Sequence, residues 1–345
     1  MAISERPGVY SSVEVTSTLS GTGSGKTVGV AACAASGTKG EVVSLLSYGE
    51  TAAKFGADCA LTKLVKLLFQ NGAAAVEAVA AAVGTTATTA EYTAAFAALA
   101  NKENVTILIC DSTDAEVASA MKSSIEGCGE NCKYRIGLVE TGGSVSDAAA
   151  KAAALNCERI VLTYPSAEGR AGAVAAAVAG VLAGQTDPAL PLNGAELAGV
   201  EGFSRIYSDS EVTTLVTAGV TAVESVYGAP SVVRGVTTRT KTGGAADTTF
   251  RELTTMLIID DVVPSVRTAL RRRFSRVKNT AQTRGAIRTQ VIIELEDKVK
   301  REIIESFDNV TAAADETDPT VCNVSFSFTV AHGLNRIVLS AHISV

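Results

Sequence analysis

Between residues 104 and 182 the chain repeats one pattern three times. A short, nearly unbroken apolar run is followed by a longer stretch in which small apolar residues recur at helical spacing. The runs are VTILICD (105–111), YRIGLVE (134–140) and RIVLTYP (159–165), and the stretches cover 115–125, 146–155 and 169–182. An apolar run without alternation is a strand buried on both faces. Such strands separated by helices build a parallel sheet with helices packed on it. Upstream, EVVSLL (41–46) predicts another strand. DCALTKLVKLLFQNG predicts a helix with Leu61, Leu64, Val65, Leu67 and Leu68 at helical spacing.

The pattern changes after Gly202. SDSEVTTLVTAGV (208–220) predicts a capped helix ending at Gly219, and PSVVRGVTTRT (230–240) predicts a strand. Helices are expected over about 249–280 and about 287–308, then two alternating strands. In NVSFSFTV (323–330) Val324, Phe326, Phe328 and Val330 share a face; in RIVLSAHISV (336–345) Ile337, Leu339, Ala341, Ile343 and Val345 do. At the other end, residues 9–15 (VYSSVEV) alternate over much of their length and suit an exposed or edge strand. The expected fold class is α/β: a mixed α+β body with a parallel α/β layer sheet, a C-terminal α+β domain, and extended N- and C-terminal β-arms. The expected boundaries are 1–26 for the N-terminal arm and linker, 27–200 for the α/β domain, 201–320 for the C-terminal domain and 321–345 for the C-terminal arm.

The joint between the first arm and the body reads SGTGSGKT (20–27). Gly25, Lys26 and Thr27 fit the phosphate-binding pattern G-x-x-x-x-G-K-[ST], but Ser20 stands where its first glycine belongs. A phosphate loop also needs a buried strand before it and a helix directly after. Here an alternating stretch precedes it, and VGVAACAASGTKG reads as a short strand running into a loop. Two readings follow: a nucleotide site using Lys26 and Thr27, or a flexible linker of small residues. Asp111, closing the first apolar run, could hold a metal or a ribose, or cap a helix.

With 47% apolar and 19% charged residues over 345 positions, the chain has the composition of a globular protein of about two domains. The longest uncharged apolar run, 171–184, is shorter than the roughly 20 residues that span a bilayer, and the opening MAISERPGVY lacks the apolar core of a signal peptide. Seven cysteines without a leader read as reduced thiols; Cys128 and Cys132 lack the further ligands a zinc site needs. His332 and His342 are the only histidines, and no nucleophile elbow accompanies a serine.

The net charge of −6 conceals a basic block. Residues 264–290 hold Arg267, Arg271, Arg272, Arg273, Arg276, Lys278, Arg284 and Arg288 with no acidic residue, whereas the chain before it carries 18 basic against 27 acidic residues. Such a block calls for an acidic partner. With Phe274 its only aromatic, it is poorly suited to single-stranded nucleic acid. On a continuous helix Arg267, Arg271 and Lys278 fall on one side, while Arg272, Arg273 and Arg276 spread around it.

Several of these segments, in this order, resemble the contractile tail sheath proteins of myophages, R-type bacteriocins and related contractile injection systems. They are RPGVY, VGVAACAASGTKGEVVSLLSYGETAAKFG, LFQNGAAAVEAV (68–79), LTYPS (162–166), GVEGFSRIYSDSEVTTLVTAGVTAV (199–223), VVRGVTTRT (232–240) and IIDDVVPSVRTALRRRF (258–274). The resemblance implies a structural subunit, not an enzyme, without cofactor or metal. It would polymerise helically around an inner tail tube protein and contract to drive that tube through a cell envelope. Baseplate and tail terminator proteins would be its other partners, with no nucleic acid and no membrane insertion, in a virion tail or phage-tail-like particle assembled in the bacterial cytoplasm. Under it, SGTGSGKT is the flexible joint of an arm, Val9, Tyr10, Val13, Val15, Ile337, Leu339, Ala341 and Ile343 link subunits, and the basic residues 267–278 meet the tube or a neighbouring subunit. Phage, prophage and bacteriocin tails are not separated by these segments.

Overall fold

The computed structural model describes residues 26–200, 206–226, 228–335 and 339–342. β1 (Thr27–Ala34) leads through β2 (Val42–Leu45), α1 (Tyr48–Phe55) and α2 (Ala60–Gln70) to β3 (Ala75–Val83). Helices and strands then alternate: α3 (Thr89–Ala100), β4 (Val105–Cys110), α4 (Ala115–Glu130), β5 (Ile136–Glu140), α5 (Val145–Leu155), β6 (Ile160–Tyr164) and α6 (Ala173–Gly184). After a long loop come α7 (Asp209–Thr217), β7 (Val220–Val226) and β8 (Ala229–Val232). A short hairpin, β9 (Lys241–Thr242) and β10 (Ala245–Ala246), precedes α8 (Leu253–Phe274), α9 (Ala281–Lys300) and a closing hairpin of β11 (Ile304–Ala314) and β12 (Cys322–Val330).

Eight strands form one sheet in the order β2-β3-β1-β4-β5-β6-β7-β8. The pairs from β3 across to β7 are parallel; β2 on β3 and β8 on β7 are antiparallel and close the two edges. Successive residues of β1 feed opposite faces. Val28, Val30, Ala32 and Ala34 enter a core with α2 and α6, while Ala31 enters a second core with α3, α4 and α5. The sheet draws on residues from both sides of position 200, since β7 pairs with β6 at Leu162↔Val220.

Local sequence explains most element ends. Ser47, Thr88, Asp114, Ser144 and Ser208 each accept a backbone N–H at a helix start, three of them within capping boxes. Gly219, with φ of 82°, turns the chain from α7 into β7. Elsewhere tertiary context overrides local preference. β3 (AVEAVAAAV) is rich in alanine, a helix former, yet it is a central strand between β1 and β2. The expected helix over 287–308 ends at Lys300; Glu302 adopts φ of 58° and Ile304 starts β11. The strand expected over 230–240 is confined to β8, beyond which Val236 makes only an isolated bridge to Glu252.

A third core, built from Ile258, Val262 and Val266 of α8, Val291 and Leu295 of α9, and Ile304 and Val310 of β11, lies beneath the closing hairpin. α8 enters both regions, because Leu253 and Met256 at its start belong to the sheet's core. The resulting structure is a parallel-rich α/β sheet unit continued by a C-terminal α+β unit.

α6 is buried almost throughout, and it reaches α2 only because its interface residues are small. A Cβ on Gly180 would lie 2.6 Å from Asn71 Cβ and 2.8 Å from Leu68 O. Gly180→Val should therefore lower folding stability by about 2 kcal/mol through overpacking. Gly285→Ala, on a stretch of α9 where an added Cβ meets nothing within 4 Å, should raise it by roughly 0.5–1 kcal/mol. Urea denaturation of the two variants measures both; equal effects would contradict the packing account.

Candidate assembly surface

The residues of the phosphate-loop pattern that are described do not form a phosphate cradle. Lys26 stands immediately before β1, so a buried strand follows the lysine where a helix should. Its Nζ donates to Leu182 O at 3.3 Å, in the last turn of α6, where carbonyls and not amides are exposed. Burial lowers the Lys26 ammonium from its ordinary value, while the Asp261 and Asp187 carboxylates pull it the other way.

The start of α6, where amides do point outward, is filled from within. Glu140, fully buried at the end of β5, accepts from Val174 N at 2.7 Å, Ala175 N at 3.2 Å and Ala167 N at 3.3 Å. Burial pushes its pKa up, against these bonds and one from Ser166. Asp111 likewise has an internal role: it accepts from Cys33 N at 2.9 Å and from Tyr92 Oη at 2.5 Å, joining β4 to β1 and α3. The cap of α4 is Asp114, three residues on. Cys128 is buried and Cys132 exposed, both as free thiols, and among the described residues no cluster of three metal-ligating side chains occurs.

The basic block is split by the end of α8. Arg267, Arg271, Arg272 and Arg273 lie on the helix, but it stops at Phe274, capped by Ser275. Arg276 and Lys278 therefore belong to the turn before α9, and the expected grouping of Lys278 with Arg267 and Arg271 on one helical side does not form. All six are exposed. Arg267 donates to Tyr134 Oη at 3.3 Å, and Arg273 donates to Gln290. Among the described residues Arg271, Arg272, Arg276 and Lys278 make no ion pair, which leaves an exposed cationic end on this helix.

α8 is fastened to the sheet unit by a constellation that sequence patterns do not reveal. Arg159 Nη1 and Nη2 donate to Asp260 Oδ2 and Oδ1, both at 2.9 Å, across 101 positions. The Arg159 and Arg267 guanidinium carbons also stand 4.9 and 5.6 Å from the centre of the Tyr134 ring. At the next residue of α8, Asp261 pairs with Lys298 of α9. Only the acidic pair Asp260-Asp261 within an apolar run hints at this in the sequence.

The closing hairpin has open flanks. Among the described residues β11 and β12 pair only with each other, so each presents an outer row of backbone groups without a strand partner there. Along β12, Val324, Phe326, Phe328 and Val330 pack towards the third core while Asn323, Ser325, Ser327 and Thr329 are exposed, matching the expected alternation. Of the arm residues, Val9, Tyr10, Val13, Val15, Ile337 and Ile343 lie outside the described residues. Leu339 is 90% exposed and Ala341 is exposed, and residues 339–342 join no ladder among the described residues. Among the described residues no helix is long and apolar enough to cross a membrane.

Residues 85–238 match the family model for the phage tail sheath protein central domain, and residues 245–344 that for the phage tail sheath C-terminal domain. A tail sheath protein of Bacillus phage SP01 is 30% identical over 229 residues, covering 62% of this chain and 39% of that protein. The chain thus spans about two fifths of that relative's length. Among solved structures, a chain of the anti-feeding prophage baseplate superposes with a TM-score of 0.76 at 15% identity, covering 99% of this chain and 100% of that one. The same prophage's helical sheath in its contracted state gives 0.71 at 13% identity, covering 99% of each chain. The sheath tail protein of Desulfitobacterium hafniense gives 0.70 at 12% identity, covering 94% and 100%.

Removing one partner of the Arg159–Asp260 pair should be costly, because both side chains are largely buried, at 12% and 18% exposure. Arg159→Met should lower stability by about 3 kcal/mol by stranding the Asp260 carboxylate. The double variant Arg159→Met/Asp260→Leu should cost less than the single one. Denaturation of both decides it: additive losses would mean that the pair does not act as a unit.

Proposed function

The chain belongs to the phage tail sheath family, and on that premise we propose that it is the subunit of a contractile sheath. Copies polymerise helically around an inner tube, and the polymer shortens and widens to drive that tube through a target envelope. The observation that carries this reading is the two-stranded hairpin of β11 and β12, whose outer edges have no strand partner among the described residues. Each flank can take up a strand from a neighbour, and the alternating stretches 9–15 and 336–345 supply such strands at the two ends of the chain. Links of this kind are heterologous, and a heterologous link that does not close generates a helical filament.

The arms stay bonded while the bodies turn, so a joint of small residues such as SGTGSG is a mechanical requirement. The work comes from the free-energy difference between two packings of rigid subunits. No substrate, cofactor or metal is needed, and no residue is assigned a catalytic role. The exposed cationic end of α8 (Arg267, Arg271, Arg272 and Arg273), with Arg276 and Lys278 beyond it, faces an acidic surface of the tube. Contacts of that type are individually weak and screened by salt, which suits a tube that must be released. Baseplate and terminator proteins bound the polymer at its ends, in a virion tail or phage-tail-like particle assembled in the bacterial cytoplasm.

Electron microscopy of the full chain should show tubes or rings; uniform single globules that turn over nucleotide would overturn the reading. Deleting residues 1–18, or residues 336–345, should leave a folded body that no longer polymerises, and Leu339→Pro should act like the second deletion by removing a ladder donor. Long tubes from either truncated chain would rule out linkage through the arms.

Charge reversal at Arg272 and Arg273 tests the cationic end separately. Arg272→Glu/Arg273→Glu should weaken assembly on tubes while sparing tube-free polymers. Failure of both assemblies would place these residues at contacts between sheath subunits, and no effect on either would make them solvated surface.

A further inference from the structure

From Gln185 to Ser208 the chain has no helix and no strand among the described residues beyond an isolated bridge at Glu196. Connections of this length are uncommon in compact domains unless they have a task. This one is tightly held. Leu192 and Leu197 are 3% exposed in the sheet's core, and Ala189 packs against the third core. Gly194 N donates to Val232 O and Leu197 N to Pro230 O, both at 2.8 Å.

The two ends of the body converge on the start of this loop and the helix turn before it. On one side is Lys26, the first described residue after the N-terminal stretch. Its ammonium donates to Leu182 O at 3.3 Å and feels the carboxylate of Asp187. On the other side are the residues that follow β12. Asn193 Nδ2 donates to Asn335 Oδ1 at 2.6 Å. Gly333 lies so close to Pro191 that an added Cβ would be 3.0 Å from its Cβ and Cγ. Both roots are thus fastened to residues 182–193, a stretch stiffened by Pro188 and Pro191. Positions 26 and 335, far apart in sequence, are tied to the same short piece of backbone.

We infer that residues 182–193 form a bracket that fixes the roots of the two arms relative to each other. The angle between the links a subunit makes to its neighbours is then set inside the subunit. This rests on the reading of the chain ends as linking arms. In a helical polymer, rise and twist follow from the geometry relating one link to the next, so a loose bracket spreads that geometry. Asn193 and Asn335 are positioning residues in this account.

The test uses the full chain with Asn335→Ala and Asn193→Ala, and Asn335→Asp as the conservative variant, whose carboxylate still accepts from the Asn193 amide. Amide hydrogen exchange at Ala331, whose N–H donates to Ile303 O at 3.4 Å, should speed up roughly fivefold in both alanine variants of the unassembled protein, the factor one net hydrogen bond is worth. It should stay at the wild-type rate in Asn335→Asp, with thermal unfolding of the body unchanged in all three. Tubes grown from the alanine variants should show shifted or broadened rise and twist by electron microscopy, and those from Asn335→Asp should match wild type. Unchanged exchange in the alanine variants, or tubes with wild-type rise, twist and order, overturns the bracket. Because exchange is read on the unassembled chain, it judges the bracket independently of whether the chain polymerises. Failure of the bracket and failure of the sheath reading are thereby told apart.

Discussion

A strand buried on both faces must find partners for all its backbone groups within the sheet, and β1 meets that demand by pairing with β3 on one edge and β4 on the other. Its eight residues are all buried, and their side chains supply both cores of the sheet unit. The demand dictates what can surround it. Helices must cover both faces, and they must approach closely, which selects the alanine and glycine of α6 and the small residues of β3.

Charges inside this frame are each met by partners of opposite polarity. Glu140 is met by amides of α6 and of the loop before it. Arg135, 1% exposed, donates to the carbonyls of Leu99, Ala100 and Lys102 at the end of α3, so a helix terminus takes the place of a carboxylate. Asp260 is met by Arg159. The first two stay within the sheet unit, whereas the third crosses to α8 and makes the long helix part of the same rigid body. A subunit that performs work by changing neighbours gains from such internal stiffness, because strain is then transmitted to its interfaces instead of being absorbed within it.

The sheath reading joins two kinds of surface that carry different energetics. Open strand edges offer directional backbone hydrogen bonds, which persist through rotation if the connecting segment is flexible. An exposed cationic helix end offers non-directional attraction that salt weakens and movement can break. Lasting links are thus proposed at the edges of the closing hairpin and releasable contacts at the end of α8.

Much of this was legible in the residues themselves. The buried strands β4, β5 and β6, the amphipathic α2, the caps of α7 and the alternation of β12 follow from periods of two and 3.6 and from side chains that bond their own backbone, all of them local effects. The order of quoted segments also carried the family resemblance along most of the chain. What local pattern could not carry was decided by partners distant in sequence. β3 is a strand because β1 and β2 flank it, although its alanines favour a helix, and β11 emerged from a stretch read as helix because β12 pairs with it. The basic block divided where α8 ended. The Arg159–Asp260 pair and the contacts of Lys26 with Leu182 and of Asn335 with Asn193 join positions that no spacing rule connects, because such contacts exist only once the chain has closed on itself.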